Sequence, residues 1–147
     1  MMVEKSRAEE MRRLAEAGRA AIRRLWKDRA KKDLFAPQEQ RLLALLEQHE
    51  HFREYWEGKE PSEESNPFLH IHFHEVIEKQ ISEENPPETR QTLDRLVAGG
   101  VDPHEARHRI AEVLVHQLYA RLNPPIGVSP PEDPAASYRA ALAKLAP

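Results

Sequence analysis

Two stretches of the chain carry the same side chains at the same spacing: Asn66-Pro67-Phe68-Leu69-His70 through Glu78, and Asp102-Pro103-His104 through Glu112. Each opens on Asn or Asp followed by Pro. The first residue can cap a helix through its side-chain oxygen, and proline suits the first helical position because its missing N–H would have no partner there. Each stretch then places His, His and Glu four residues apart, at 70, 74, 78 and at 104, 108, 112. Four residues return to the same face of an α-helix. The competing strand, in which Leu69, Ile71 and Phe73 alternate with His70, His72 and His74, gives way because Glu75-Val76-Ile77-Glu78-Lys79-Gln80-Ile81 continues at four-residue spacing with no turn between.

On ideal helices, at about 100° per residue, His70 and His74 fall beside Leu69, Phe73, Ile77 and Ile81, while His72 points away. His104 and His108 fall in the same way beside Ala111, Leu114, Val115 and Leu118. Two apolar faces, each with a histidine pair and a carboxylate at its edge, predict two helices packed so that His70, His74, His104 and His108 face one another. Histidines one turn apart can share an ion, with metal–nitrogen bonds of about 2.0–2.1 Å for zinc. Glu78 and Glu112 are expected as outer partners of the imidazoles or as ligands of a second ion. The expected cofactor is a divalent metal, zinc before iron or manganese, in a structural or regulatory role. The alternative is a helical protein–protein interaction module or homodimer in which the same histidines are core residues satisfied by one another and no metal binds.

The chain has 147 residues, enough for one domain with appendages. Its 32% of charged residues and five glycines suit solvated helices better than a turn-rich sandwich. The expected fold is an all-α bundle of about five helices plus a short C-terminal one. Residues 1–33 form a basic N-terminal arm, 34–122 the core, and 123–147 a Pro-rich strap with the closing helix. The absence of cysteine excludes disulfides and thiolate ligands. The N-terminal residues lead into a charged helix rather than an apolar signal, so a cytoplasmic, non-membrane protein is expected. Residues 1–33 hold 11 Lys/Arg against 6 Asp/Glu, a surplus of 5 in a chain whose net charge is −3. Docking of this basic arm on an acidic body, or pairing of the arm in a homodimer, is expected in preference to a nucleic-acid partner.

Along the chain, Ser6-Arg7-Ala8-Glu9 fits a capping box that starts the arm helix, with Met11, Leu14, Gly18, Ala21, Ile22 and Leu25 as its apolar stripe. Pro37 opens a helix expected to run to Gly58, with His49 among its apolar positions. His49 and His51 are expected to be packing or solvated residues rather than site residues. Asn85-Pro86-Pro87 opens a helix closed by Gly99-Gly100, and Asp133-Pro134 opens the last, with Tyr138, Leu142 and Leu145 on one face.

Two resemblances add to these readings. Residues 104–108, His-Glu-Ala-Arg-His, resemble the zinc motif of gluzincin-type metalloproteases, which implies zinc ligation by His104 and His108 and a catalytic base at Glu105 if the protein is a hydrolase. The pentapeptide opens its helix and no sheet accompanies it, so enzyme activity is not the favoured expectation, and capping explains Glu105 equally well. The elements Asn66 through His74, Glu78-Lys79-Gln80, Pro86-Pro87, and Gly100 through His108, over about residues 66–122, are similar to the uncharacterised bacterial family catalogued as domain of unknown function 1841. That resemblance implies a helical fold and a bacterial source, and no reaction.

Overall fold

The computed structural model describes residues 2–122, 126–127 and 133–147. Every regular element among them is helical: α1 (Met2–Lys27), α2 (Pro37–Gln48), α3 (Arg53–Glu57), α4 (Pro67–Glu83), α5 (Pro87–Ala98), α6 (Pro103–Leu122) and α7 (Pro134–Ala143), with 3-10 turns at Arg29–Leu34 and Glu50–Phe52. The all-α expectation holds. The Pro-rich strap expected after Leu122 lies largely outside the described residues, as do the side chains of Ser6 and Met11.

Contacts divide the chain into two compact units, Met1–Ile71 and His72–Pro147. In the first, α1 already runs through Ser6, since nothing in Val3-Glu4-Lys5 breaks a helix. Ile22 and Trp26 of α1 pack with Leu43, Leu46, Trp56, Phe68 and Ile71. Arg23 ties the arm down further: its guanidinium donates to the carbonyls of Tyr55 (3.3 Å) and Lys59 (2.9 Å) and lies 5.3 Å from the Phe68 ring. Among the described side chains of α1, those of the last turns are engaged in this way, and Leu14 is exposed.

The helix expected over 37–58 is interrupted. At His49 the backbone leaves helical geometry (φ −111°, ψ 41°), and the imidazole Nδ1 hydrogen-bonds Leu45 O at 2.8 Å. The backbone N–H of His49 is shared between Leu45 O (3.2 Å) and Leu46 O (3.1 Å), the tightening that ends a helix. The chain turns through Glu50–Phe52 and resumes as α3, which places Trp56 in the core.

Helix α4 begins as its cap predicts, with Leu69 N–H donating to Asn66 Oδ1 at 3.1 Å, and its residues from His72 onward belong to the second unit. There Ile77 and Ile81 meet Leu93 and Leu96 of α5, Ala106, Ile110 and Ala111 of α6, and Tyr138 and Leu142 of α7. One amide gathers three helices, since Gln80 Oε1 accepts from Thr89 Oγ1 (2.9 Å) and from Tyr138 Oη (2.8 Å). Arg95 of α5 donates to Leu142 O at 2.9 Å and Leu145 O at 3.0 Å, tying α5 to the C-terminal end of α7. Helix α5 starts at Pro87 with Pro86, not Asn85, at the cap position. It closes at Gly99, where a Cβ would collide with the Pro147 ring, and at Gly100, whose φ of +96° favours glycine.

On α6 the buried face is not the one the spacing predicts. Ala106, Ile110 and Ala111 are buried, whereas Val115 and Leu118 are largely exposed. Packing on α5 and α7 therefore rotates the core face away from His104 and His108, which come to lie at its edge, half-buried.

Burial raises the Tyr138 phenol above its ordinary value near 10, against the smaller lowering effects of its hydrogen bonds to Thr89 and Gln80. The folded protein thus favours the neutral phenol. Stability from this group is complete below the unfolded value and is lost as pH rises through the higher folded value. Unfolding free energy measured above pH 10 is expected to fall, and Tyr138→Phe to flatten that fall while losing the Gln80 bond at neutral pH.

Candidate metal centre

Asp102 fixes the start of α6: its Oδ2 accepts from the backbone N–H of His104 (3.0 Å) and of Glu105 (3.2 Å). The two histidines of α6 then stand one turn apart, with ring centroids separated by 4.3 Å. From α4, the fully buried His74 reaches the same place, its ring 5.3 Å from His104 and nearly parallel to it, and 4.8 Å from His108. One ring nitrogen from each of the three lies within 4.8 Å of the others. In tetrahedral zinc the ligand nitrogens stand about 3.3 Å apart, as bonds of 2.0–2.1 Å require, so small rotations of the imidazoles bring all three onto one ion.

The position at the start of α6 shapes the chemistry. The positive end of the helix opposes a cation, so a bound ion needs negative charge nearby.

Of the four histidines expected to share a site, the second unit brings together His74, His104 and His108, and His72 points to solvent as expected. His70 belongs to the first unit, where its Nε2 lies 3.1 Å from Nε2 of His49. A carbonyl only accepts, so the proton of neutral His49 sits on Nδ1, toward Leu45 O, and its Nε2 offers a lone pair to His70. His49 is fully buried and edge-on to His70 at 4.8 Å between ring centroids. It was expected among packing residues, and packing is part of what it does; its specific partnership with His70 was not foreseen. The signal was present, because 42, 45, 46, 49, 52 and 56 trace one helical face and a histidine on such a face needs polar partners.

The carboxylates divide differently from the expectation. Glu78 is held by Arg107 of α6, whose Nε donates to its Oε1 and whose Nη1 donates to Pro103 O at 3.1 Å. Glu112 is exposed. Glu105, expected as a helix cap or a catalytic base, instead stands 4.0 Å (Oε2) from His108 Nδ1 and 3.6 Å (Oε1) from Arg109 Nε.

The family model for the domain of unknown function DUF1841 matches residues 15–124, which reaches well beyond the 66–122 stretch whose elements resemble it and takes in the second half of α1 and all of α2 and α3. No curated protein and no solved structure matches the chain.

The His49–His70 pair yields a stability prediction. His49→Phe keeps the ring volume and forfeits the Leu45 and His70 bonds, an expected loss of about 1–2 kcal/mol in denaturant unfolding. His49→Ala adds a cavity, and the expected loss grows to about 3 kcal/mol.

Proposed function

We propose, for a chain that belongs to the DUF1841 family, that it binds a divalent cation, zinc first, through His74, His104 and His108. The observation that carries this is the convergence of three imidazoles from two helices, with a ring nitrogen of each within 4.8 Å of the others. Neutral imidazole is a good ligand for zinc, and the lack of cysteine leaves nitrogen and oxygen donors only. An ion held by His74 of α4 and by His104 and His108 of α6 would cross-link the two helices, adding to the Ile77 and Ile81 contacts and the Glu78–Arg107 pair. The role this favours is structural or regulatory. Hydrolysis through Glu105 is less well supported, since its carboxylate is turned to His108 and Arg109.

Elemental analysis of protein purified without a histidine tag is expected to find about one zinc per chain. A His74→Ala/His108→Ala variant is expected to carry none. Zinc at a hundredfold excess over its dissociation constant should stabilise the wild type by about 2.7 kcal/mol. Equal, negligible metal in both proteins would remove the proposal.

A second reading concerns the arm. Leu14 is 68% exposed in the middle of α1, and residues 12–18 around it are exposed as well. This favours self-association of the chain through α1 into a homodimer. Sedimentation equilibrium is expected to show a dimer that Leu14→Glu converts to monomer; a monomeric wild type at high concentration would dispose of it.

A further inference from the structure

Three imidazoles around an ion supply no negative charge, and the start of α6 adds a partial positive one. Near the α6 histidines, Glu78 is held by Arg107 and Asp102 caps the backbone N–H groups of His104 and Glu105. Glu105, though exposed, has a carboxylate oxygen 4.0 Å from a ring nitrogen of His108. Its Oε1 faces Arg109 and its Oε2 faces Nδ1 of His108, while Nε2 of His108 is buried. The two nitrogens of one imidazole have complementary roles: a proton fixed on one leaves a lone pair on the other.

We infer that Glu105 is a positioning residue for the proposed metal centre: its carboxylate accepts a hydrogen bond from Nδ1–H of His108 and so commits the buried Nε2 to donating a lone pair to the ion. The present separation is 4.0 Å, and a swing of the Glu105 side chain, which is 54% exposed, would be needed to close it to hydrogen-bond length. Arg109, holding the other oxygen, limits that swing to one side. The carboxylate does for His108 what outer carboxylates do at histidine metal sites generally, fixing tautomer and ring orientation and raising ligand basicity. Because it sits in the first turn, its charge is also favourable there before any ion arrives. Glu105 thereby gains a role distinct from the base that the pentapeptide resemblance implies.

The inference rests on the metal proposal, so its test has one arm that needs no metal. Imidazole nitrogen chemical shifts of the full chain without metal, read at a pH where the rings are neutral, are expected to show the Nδ1–H tautomer at His108. Glu105→Ala is expected to shift His108 toward the commoner Nε2–H form, and Glu105→Gln to retain Nδ1–H through the amide oxygen. In the second arm, zinc affinity is measured by chelator competition. Glu105→Ala should weaken it about 10- to 100-fold, Glu105→Gln should recover most of that loss, and Glu112→Ala, an exposed carboxylate on the same helix, should leave it unchanged. Circular dichroism checks that helix content is equal across the set. Persistence of the Nδ1–H tautomer in Glu105→Ala, or equal zinc affinity in Glu105→Ala and Glu112→Ala, would overturn the inference. A wild type that takes up no zinc, with the tautomer still depending on Glu105, would instead overturn the metal proposal alone.

Discussion

The angular phase of α6 is the constraint on which the candidate centre depends. Asp102 fixes where the helix starts, and the burial of Ala106, Ile110 and Ala111 against α5 and α7 fixes how far it is rotated. Those two conditions leave no freedom in where His104 and His108 point. The apolar residues thus set the position of the polar ones, and His104 and His108 stand at the edge of the core, half-buried, where a ligand can still reach them. On α4 the same logic runs through Ile77 and Ile81, whose burial brings His74 inward and turns His72 out.

Much of this was legible in the sequence. Asn66-Pro67 and Asp102-Pro103 announced two helices, and both caps form with the expected backbone partners. The approach of His74 to His104 and His108 was readable because four-residue spacing survives small errors in helix rotation, whereas His70, expected in the same set, lies in the first unit beside His49. The interruption at His49 was not legible, because no Gly, Pro or capping residue marks it and the turn shows only in the backbone, where the His49 N–H is shared between Leu45 O and Leu46 O. Nor was the exposure of Val115 and Leu118, since a helical stripe broad enough to be read two ways is resolved only by the partners it meets. The partners of Glu78 and Glu105 were beyond reach for a similar reason: a carboxylate at the edge of a face can turn to either side, and Arg107 and Arg109 decide which.

The electrostatics of the second unit follow a simple division of labour. Arginine takes the exposed or structural tasks: Arg95 ties α5 to the end of α7, and Arg107 links α6 to α4. Histidine takes the enclosed positions, where a permanent charge would be expensive. A cluster of imidazoles is only weakly cohesive by itself. An ion would convert it into a strong one.

The contact between Gly99 and the Pro147 ring reaches further than its size suggests. Position 99 has no room for a side chain so long as a proline ring sits there, and Arg95 holds the preceding carbonyls in place. The two positions are therefore one constraint written twice in the chain. Among relatives, a larger residue at the first should coincide with a smaller or displaced residue at the second, a covariation that would be visible without any structure.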